Sequence, residues 1–434
     1  MDKMADVLGR AGAWCGQNKY LSAIKNAFQN FMPLTIAGAI GVLWCNVLVN
    51  DQTGLGLFFK PIMALDFLNP AFQAVNFCTI SCITVGITLG IAQEIGVWNM
   101  GAERAGYIPG LVGLAAWLSV TNTSHMVDGA KEAFTGVAGN ELGATGLFTG
   151  MIIGVLSVEL FCFFEKQDAL KIKMPEQVPP GVARAFEVLV PATITLIITA
   201  CIGSACYNLT GLYLNDVIKN GIQGPLGAVG ATIPGVMIIY LVIMLFWLVG
   251  IHGNNMLSAV KEALFTPLAL ENVEKFNKGE KPTNIINMYA LQMWGEFGGS
   301  GVTIGLVIAI MIFGKREDNK AIATLSLVPG LFNINETVTF GIPMVLNPIL
   351  GIPFVVAPLI TIIIGYVLTV IGFCPVACLT VPWTTPPIVL GFLACGANVM
   401  GAVTQAILIV VSTVIYVPFL ISYEKYQNKQ AAEA

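Results

Sequence analysis

The sequence predicts an all-α polytopic membrane protein with about ten transmembrane helices. Three observations lead there. Hydrophobic residues make up 56% of the 434 and charged residues 11%, whereas a soluble globular chain carries about 25% charged residues. So few charges cannot build a water-facing surface. Residues 402–421, AVTQAILIVVSTVIYVPFLI, carry no charge at all; a helix needs about 20 such residues to cross a hydrocarbon core of about 30 Å. Similar apolar runs recur along the chain, separated by polar connections.

In chain order the runs lie near 31–49, 71–92, 107–122, 143–164, 186–208, 229–250, 300–314 and 353–373, ahead of 402–421. Shorter ones lie near 321–335 and 387–400, and not all are long enough to span. The stretch KIKMPEQVPPGVARAF, 171–186, reads as a cytoplasmic loop. The connection 209–228, with Asp216, Lys219 and several glycines, reads as lying along the membrane surface. The boundary between two membrane domains is placed there, giving 1–225 and 226–434. The region 257–284 contains KEALFTPLALENVEKFNKGEK and is too charged to span, so it is expected to be surface-lying or re-entrant. In GATGLFTGMIIG, Gly146, Gly150 and Gly154 recur at every fourth position. Such a stripe lets a second helix approach closely, either within the chain or across a subunit interface.

Lysine and arginine set the expected orientation. The N-terminus is basic, 166–184 carries Lys166, Lys171, Lys173 and Arg184, and KRED at 315–318 is followed by Lys320. Lys425 and Lys429 lie near the end, whereas 123–142 leans acidic through Asp128, Glu132 and Glu141 against Lys131. With the basic segments inside, both termini are cytoplasmic. Residues 1–30 hold Asp2, Lys3, Asp6, Arg10, Lys19 and Lys25 and no short apolar core, so no signal peptide is expected. The ten cysteines lie mainly in apolar runs. Cys78/Cys82 and Cys374/Cys378 share helix-face spacing without nearby histidines, and read as small core residues rather than metal ligands or disulfides.

A charge at membrane depth costs roughly 2.5–3.5 kcal/mol on insertion scales, so it is expected to face a cavity or a partner. Four residues qualify. Glu336 lies in VPGLFNINETVTFGIP, and no charged side chain follows it from Thr337 to Tyr423. Pro329, Gly330, Gly341 and Pro343 flank it, favouring an interrupted hairpin that lines a cavity, with Asn333 and Asn335 adding amides. The bland alternative is a structural carboxylate bonded to its own hairpin. His252, in FWLVGIHGNN, closes an uncharged run from Asn220 to Ile251. Imidazole donates and accepts at once, which suits a hydroxyl-rich ligand, although a satisfied structural histidine is the alternative. Glu159, in VLSVELFCFF, reads as an interhelical hydrogen-bonding residue. Glu296, in WGEFGGSG, precedes glycines whose backbone can approach a ligand. Trp247 and Trp383 suit an interfacial belt, but Trp383 sits in the proline-broken TVPWTTPP, where a ring can stack on a sugar. His125 reads as an ordinary loop residue.

The sequence has neither G-x-x-x-x-G-K-[ST] nor G-x-G-x-x-G, and no metal-spaced His/Cys cluster. No cofactor or nucleic-acid partner is expected, and any phosphoryl donor would be another protein.

At these residues the chain resembles the EIIC sugar permease of the bacterial phosphoenolpyruvate-dependent phosphotransferase system, in the cellobiose/diacetylchitobiose/lactose group. The resemblance covers nearly the whole chain. It rests on AIKNAFQNFMPLTIAG (23–38), IKMPEQVPPGVARAF (172–186), GIHG (250–253), TPLALEN (266–272), GGSGVTIGL (298–306), NINETVTFGIPMVLNP (333–348) and PW (382–383). It implies a homodimer in the bacterial inner membrane, with a scaffold and dimerisation domain over 1–225 and a sugar-binding, translocating domain over 226–434. It also implies two re-entrant hairpins, at 253–270 and 328–341. The motif histidine and glutamate that bind sugar fall at His252 and Glu336, and Asn335, Trp247 and Trp383 match further sugar-contacting positions.

The implied mechanism binds a β-linked disaccharide from outside, carries it inward, and presents its 6-hydroxyl to phosphocysteine on a separate EIIB protein, itself charged by EIIA. Glu336 would orient that hydroxyl or accept its proton. Two positions depart from the family: Thr337 stands where proline is common after the glutamate, and WGEF is more acidic than the family pattern. They bear on the exact sugar, not the class. A proton-coupled symporter with Glu336 as proton carrier, and a membrane enzyme acting on lipid-linked sugars, are the competing readings.

Overall fold

The computed structural model describes residues 10, 14, 17–51, 55–125, 134–175 and 177–433. The charged residues expected at 1–9, and Asp128, Lys131 and Glu132 of the acidic connection, fall outside the described residues. The principal helices are α1 Lys19–Leu43, α2 Asn69–Cys78, α3 Ile83–Met100, α4 Ile108–Val120, α5 Ala144–Glu165, α6 Pro180–Thr210, α7 Ile233–Leu248 and α8 Ser258–Asn277. They continue with α9 Met288–Gly295, α10 Ile304–Phe313, α11 Glu317–Leu331, α12 Glu336–Gly341, α13 Gly351–Val370, α14 Val389–Ala394 and α15 Val399–Glu433. A two-residue antiparallel ladder pairs β1 Ser124–His125 with β2 Phe134–Thr135.

Among the described residues six helices are long and apolar enough to cross a membrane, or seven if the bent pair Met288–Val302 and Ile304–Phe313 is one span. The other apolar runs fold as shorter helices: α4, α7 and α11 stop short of a span because glycine, proline or polar residues interrupt them.

Local chemistry sets several helix ends. Pro180 opens α6, where its missing N–H costs nothing, and Gly211 closes it in a left-handed conformation, φ 72°. Thr232 caps α7 by accepting from the Gly235 N–H at 3.2 Å, and Asn287 caps α9 by accepting from Tyr289 and Ala290.

The chain forms two compact units. One comprises Gln17–Gly38 and Ala74–Ala228; the other is built from Ala39–Gln73 and Val229–Ala434. In the first, α3, α4, α5 and α6 pack together. Two of the stripe's three glycines, Gly150 and Gly154, face α3 of the same chain. A Cβ on Gly150 would strike the Thr88 hydroxyl and come within 2.9 Å of Thr84 Cγ2, and one on Gly154 would lie 3.1 Å from the Thr88 carbonyl. Gly150→Ala is therefore expected to force the two helices apart and cost roughly 1–3 kcal/mol. A lower unfolding temperature in detergent checks this, with Gly227→Ala as the neutral control because its Cβ would meet open space.

Glu159 bridges helices of this unit: it pairs with Lys19 at 2.6 Å and accepts from Asn99 Nδ2 at 3.3 Å. Glu165, at the end of α5, is held by both Arg104 and Arg184 at 2.8 Å, which ties the start of α6 to the end of α5. The connection after α6 is anchored rather than loose, because Asn215, Ile218 and Gln223 are buried. Of the paired cysteines, Cys374 and Cys378 are buried in the second unit, whereas Cys78 is exposed and Cys82 half-buried.

In the second unit, α13 packs on α7 and α9, and α15 packs on α10 and α13. Buried amides knit the irregular segments to the helices. Asn272 accepts from the N–H groups of Thr283 and Asn284 and donates to the Asn284 and Ala377 carbonyls. Gln405 of α15 accepts from Ile388 and Gly391 and donates to the Met293 carbonyl. The charged 257–284 region forms the long helix α8, which buries Lys261 and Asn272.

Candidate functional site

Two breaks in the second unit carry the polar residues. The first follows α7, where Gly250 takes φ 80° and the chain turns into a one-turn helix, Gly253–Met256. His252 caps that turn: its Nδ1 accepts from the Asn255 N–H at 3.3 Å. A neutral ring with Nδ1 as acceptor carries its proton on Nε2. The imidazole lies against Trp247, ring centroids 4.4 Å apart, and Phe354 meets Trp247 edge-on at 6.4 Å. Gly253 is required here, because any Cβ would run into the Ile243 carbonyl of α7.

The second break separates α11 from α12. Asn333 takes φ 62°, a left-handed conformation that asparagine tolerates better than most residues. Its Oδ1 accepts from the Gly298 N–H at 2.6 Å, and its Nδ2 donates to the carbonyls of Trp383 and, at 2.9 Å, Thr385. One side chain thus joins the break between α11 and α12, the glycine-rich bend and the TVPWTTPP stretch. Asn335 is buried and donates to the Ser300 carbonyl at 2.9 Å and to Thr339 Oγ1 at 3.1 Å. Gly299, φ 87°, is where a Cβ would collide with Asn335. Glu336 then opens α12 with helical backbone. A proline at 337 would disfavour that conformation at Glu336; Thr337 permits it.

The breaks meet because the Leu346 N–H donates to the Leu248 carbonyl at 2.8 Å. His252 Nε2 comes to 3.9 Å from Glu336 Oε1, with the side chains 38% and 46% exposed. That separation is too long for a direct hydrogen bond. A hydroxyl between them would accept from Nε2–H and donate to the carboxylate. Trp383 is exposed, so a ring face is open for stacking, whereas Trp247 is buried behind His252.

Glu296 follows α9. Tyr240 donates to its Oε1 at 2.7 Å, and the Lys261 ammonium pairs with the same oxygen. Lys261 and Glu296 side chains are 7% and 17% exposed.

The structure therefore brings His252, Glu336 and Trp247 together, places Asn335 beside Glu336, and links Trp383 to the same break through Asn333. Glu159 and His125 belong to the other unit; His125 lies on β1, its ring 5.4 Å from Phe134. Sequence reasoning missed Lys261 and Tyr240. The signal for Lys261 was spacing: Lys261, Phe265, Ala269 and Asn272 are all buried and fall on one face of α8.

Apolar helices of spanning length and a bent apolar helix pair define a multi-pass membrane protein, with an open polar pair at two chain breaks. The family model for the phosphotransferase system EIIC component matches residues 25–358, and the chain belongs to that family. It is 32% identical to the oligo-beta-mannoside-specific EIIC component of Bacillus subtilis (strain 168), over 98% of this chain and 94% of that protein. It is 30% identical to the cellobiose-specific EIIC component of Lactococcus lactis subsp. lactis (strain IL1403), over 98% of each. The crystal structure of ChbC, the IIC component of the N,N'-diacetylchitobiose-specific system, superposes with TM-score 0.88 at 29% identity, over 97% of both chains.

Proposed function

We propose that this EIIC protein binds a β-linked disaccharide such as cellobiose or diacetylchitobiose, carries it across the bacterial inner membrane, and presents its 6-hydroxyl for phosphorylation by a separate EIIB protein supplied by EIIA. The observation that carries the reading is the 3.9 Å gap between His252 Nε2 and Glu336 Oε1, two exposed groups not bonded to each other. One hydroxyl fits both. The sugars named for the relatives above support the substrate class.

In this reading Nε2–H of His252 fixes the hydroxyl oxygen and Glu336 accepts its hydrogen bond. As that oxygen attacks the phosphorus of phosphocysteine, the S–P bond breaks, the cysteine leaves as thiolate, and Glu336 takes the hydroxyl proton. Phosphoryl transfer of this kind depends mainly on alignment and charge stabilisation. Trp383 stacks on a sugar ring, Asn335 offers its Oδ1, and Trp247 sets the His252 ring from behind. Residues 226–434 form the moving sugar-binding domain, with re-entrant hairpins at 253–270 and 328–341, and 1–225 the scaffold of a homodimer. About ten spans and cytoplasmic termini complete the arrangement.

Vesicles containing the protein, supplied with phosphorylated EIIB and labelled cellobiose, are expected to yield trapped sugar 6-phosphate. Accumulation of unmodified sugar driven by a pH gradient alone would replace this reading with proton symport.

A further inference from the structure

The Lys261–Glu296–Tyr240 cluster is not used by the mechanism above. Both donors converge on one carboxylate oxygen, Oε1. No described residue donates to Oε2, and that oxygen is not among the fully enclosed polar atoms without a partner. Glu296 therefore keeps an unspent acceptor that solvent can reach. Lys261 also lies over the Tyr240 ring, 5.6 Å from its centroid. Gly298 and Gly299, two and three residues after Glu296, meet Asn333 and Asn335 of the break that carries Glu336, so the cluster borders the sugar site.

A purely structural ion pair accounts for Oε1. A buried lysine needs a partner, and the pair ties α8 to the end of α9. It does not account for an open Oε2. Paired with the Lys261 ammonium, the carboxylate accepts hydrogen bonds and donates none. Such bonds are roughly twice as strong as neutral ones. The pair as a whole is neutral, so it can face an uncharged sugar without adding net charge.

We propose that Glu296 is a second substrate-reading carboxylate, whose Oε2 accepts a hydrogen bond from a sugar hydroxyl other than the one held between His252 and Glu336, with Lys261 and Tyr240 as its positioning residues. The site would then require a donor at that position and discriminate against sugars carrying an ether, a fluorine or hydrogen there. This rests on the β-linked disaccharide reading.

The test is a binding panel on the purified full-length protein, using cellobiose and its monodeoxy and monofluoro analogues. Wild type, Glu296→Gln and Glu336→Gln are compared. In wild type at least two positions should each lose about tenfold or more in affinity when the hydroxyl is removed. The penalty at one of them should vanish in Glu296→Gln, and the penalty at a different one in Glu336→Gln. Glu296→Gln weakening cellobiose and all analogues by one common factor would overturn the proposal and leave a structural pair. A wild-type penalty at fewer than two positions would overturn it too, and needs no folded variant. Wild type binding none of these sugars would instead overturn the functional reading beneath it; normal binding without the positional pattern overturns only this inference.

Discussion

Glu336→Gln is expected to abolish sugar-phosphate formation in vesicles loaded with phosphorylated EIIB and to weaken sugar binding. Glutamine keeps the shape and one acceptor oxygen but takes no proton. Losing a positioned general base typically slows a step by about 10²–10⁴-fold. Losing a hydrogen bond to a charged group costs about 1.5–3 kcal/mol, or roughly 10- to 100-fold in affinity. The two readouts separate: equilibrium binding falls by the smaller factor, single-turnover transfer by the product of both. His252→Ala is expected to reduce binding by a comparable factor while keeping the proton acceptor. Transfer at the wild-type rate by Glu336→Gln would remove the carboxylate from the chemistry.

Asn333→Ala is expected to be the most damaging single change near the site that touches no sugar. It removes three hydrogen bonds, to Gly298, Trp383 and Thr385. It leaves two carbonyls and an N–H unpaired in a largely buried place, and puts alanine at φ 62°. Together these effects cost roughly 3–5 kcal/mol. Asn333→Gly loses the same bonds but relieves the backbone, so it should recover about 1 kcal/mol. Thermal unfolding in detergent measures both. Equal stability of wild type and alanine variant would show that these segments are held by packing alone.

Much of this was readable from residues. Charge scarcity and apolar runs located the helices, since a lipid solvent permits few other patterns. Glu336 and His252 stood out because each lies in a long stretch without charge. What composition could not show was which polar groups satisfy each other. Lys261 sits among charges that suggest a solvated surface, yet α8 turns it inward onto Glu296. Trp247 was legible as an aromatic near the site but not as a buried backing for His252, because depth depends on α13 bringing up Phe354. Asn333 showed as one of two hairpin amides, and its reach to residues 50 and 52 positions away is long-range geometry. The glycine stripe left two partners open, and only the α3 side chains facing Gly150 and Gly154 decide between them. The grouping of Ala39–Gln73 with Val229–Ala434 had no local signature at all.

The distance separating the imidazole from the carboxylate has a thermodynamic corollary. Had the two closed into contact, an arriving guest would first have to prise them apart, and that work would be subtracted from its affinity. In the proposed site the two are held just out of reach by their separate backbone anchors, so a bound hydroxyl would engage both without first breaking a bond between them.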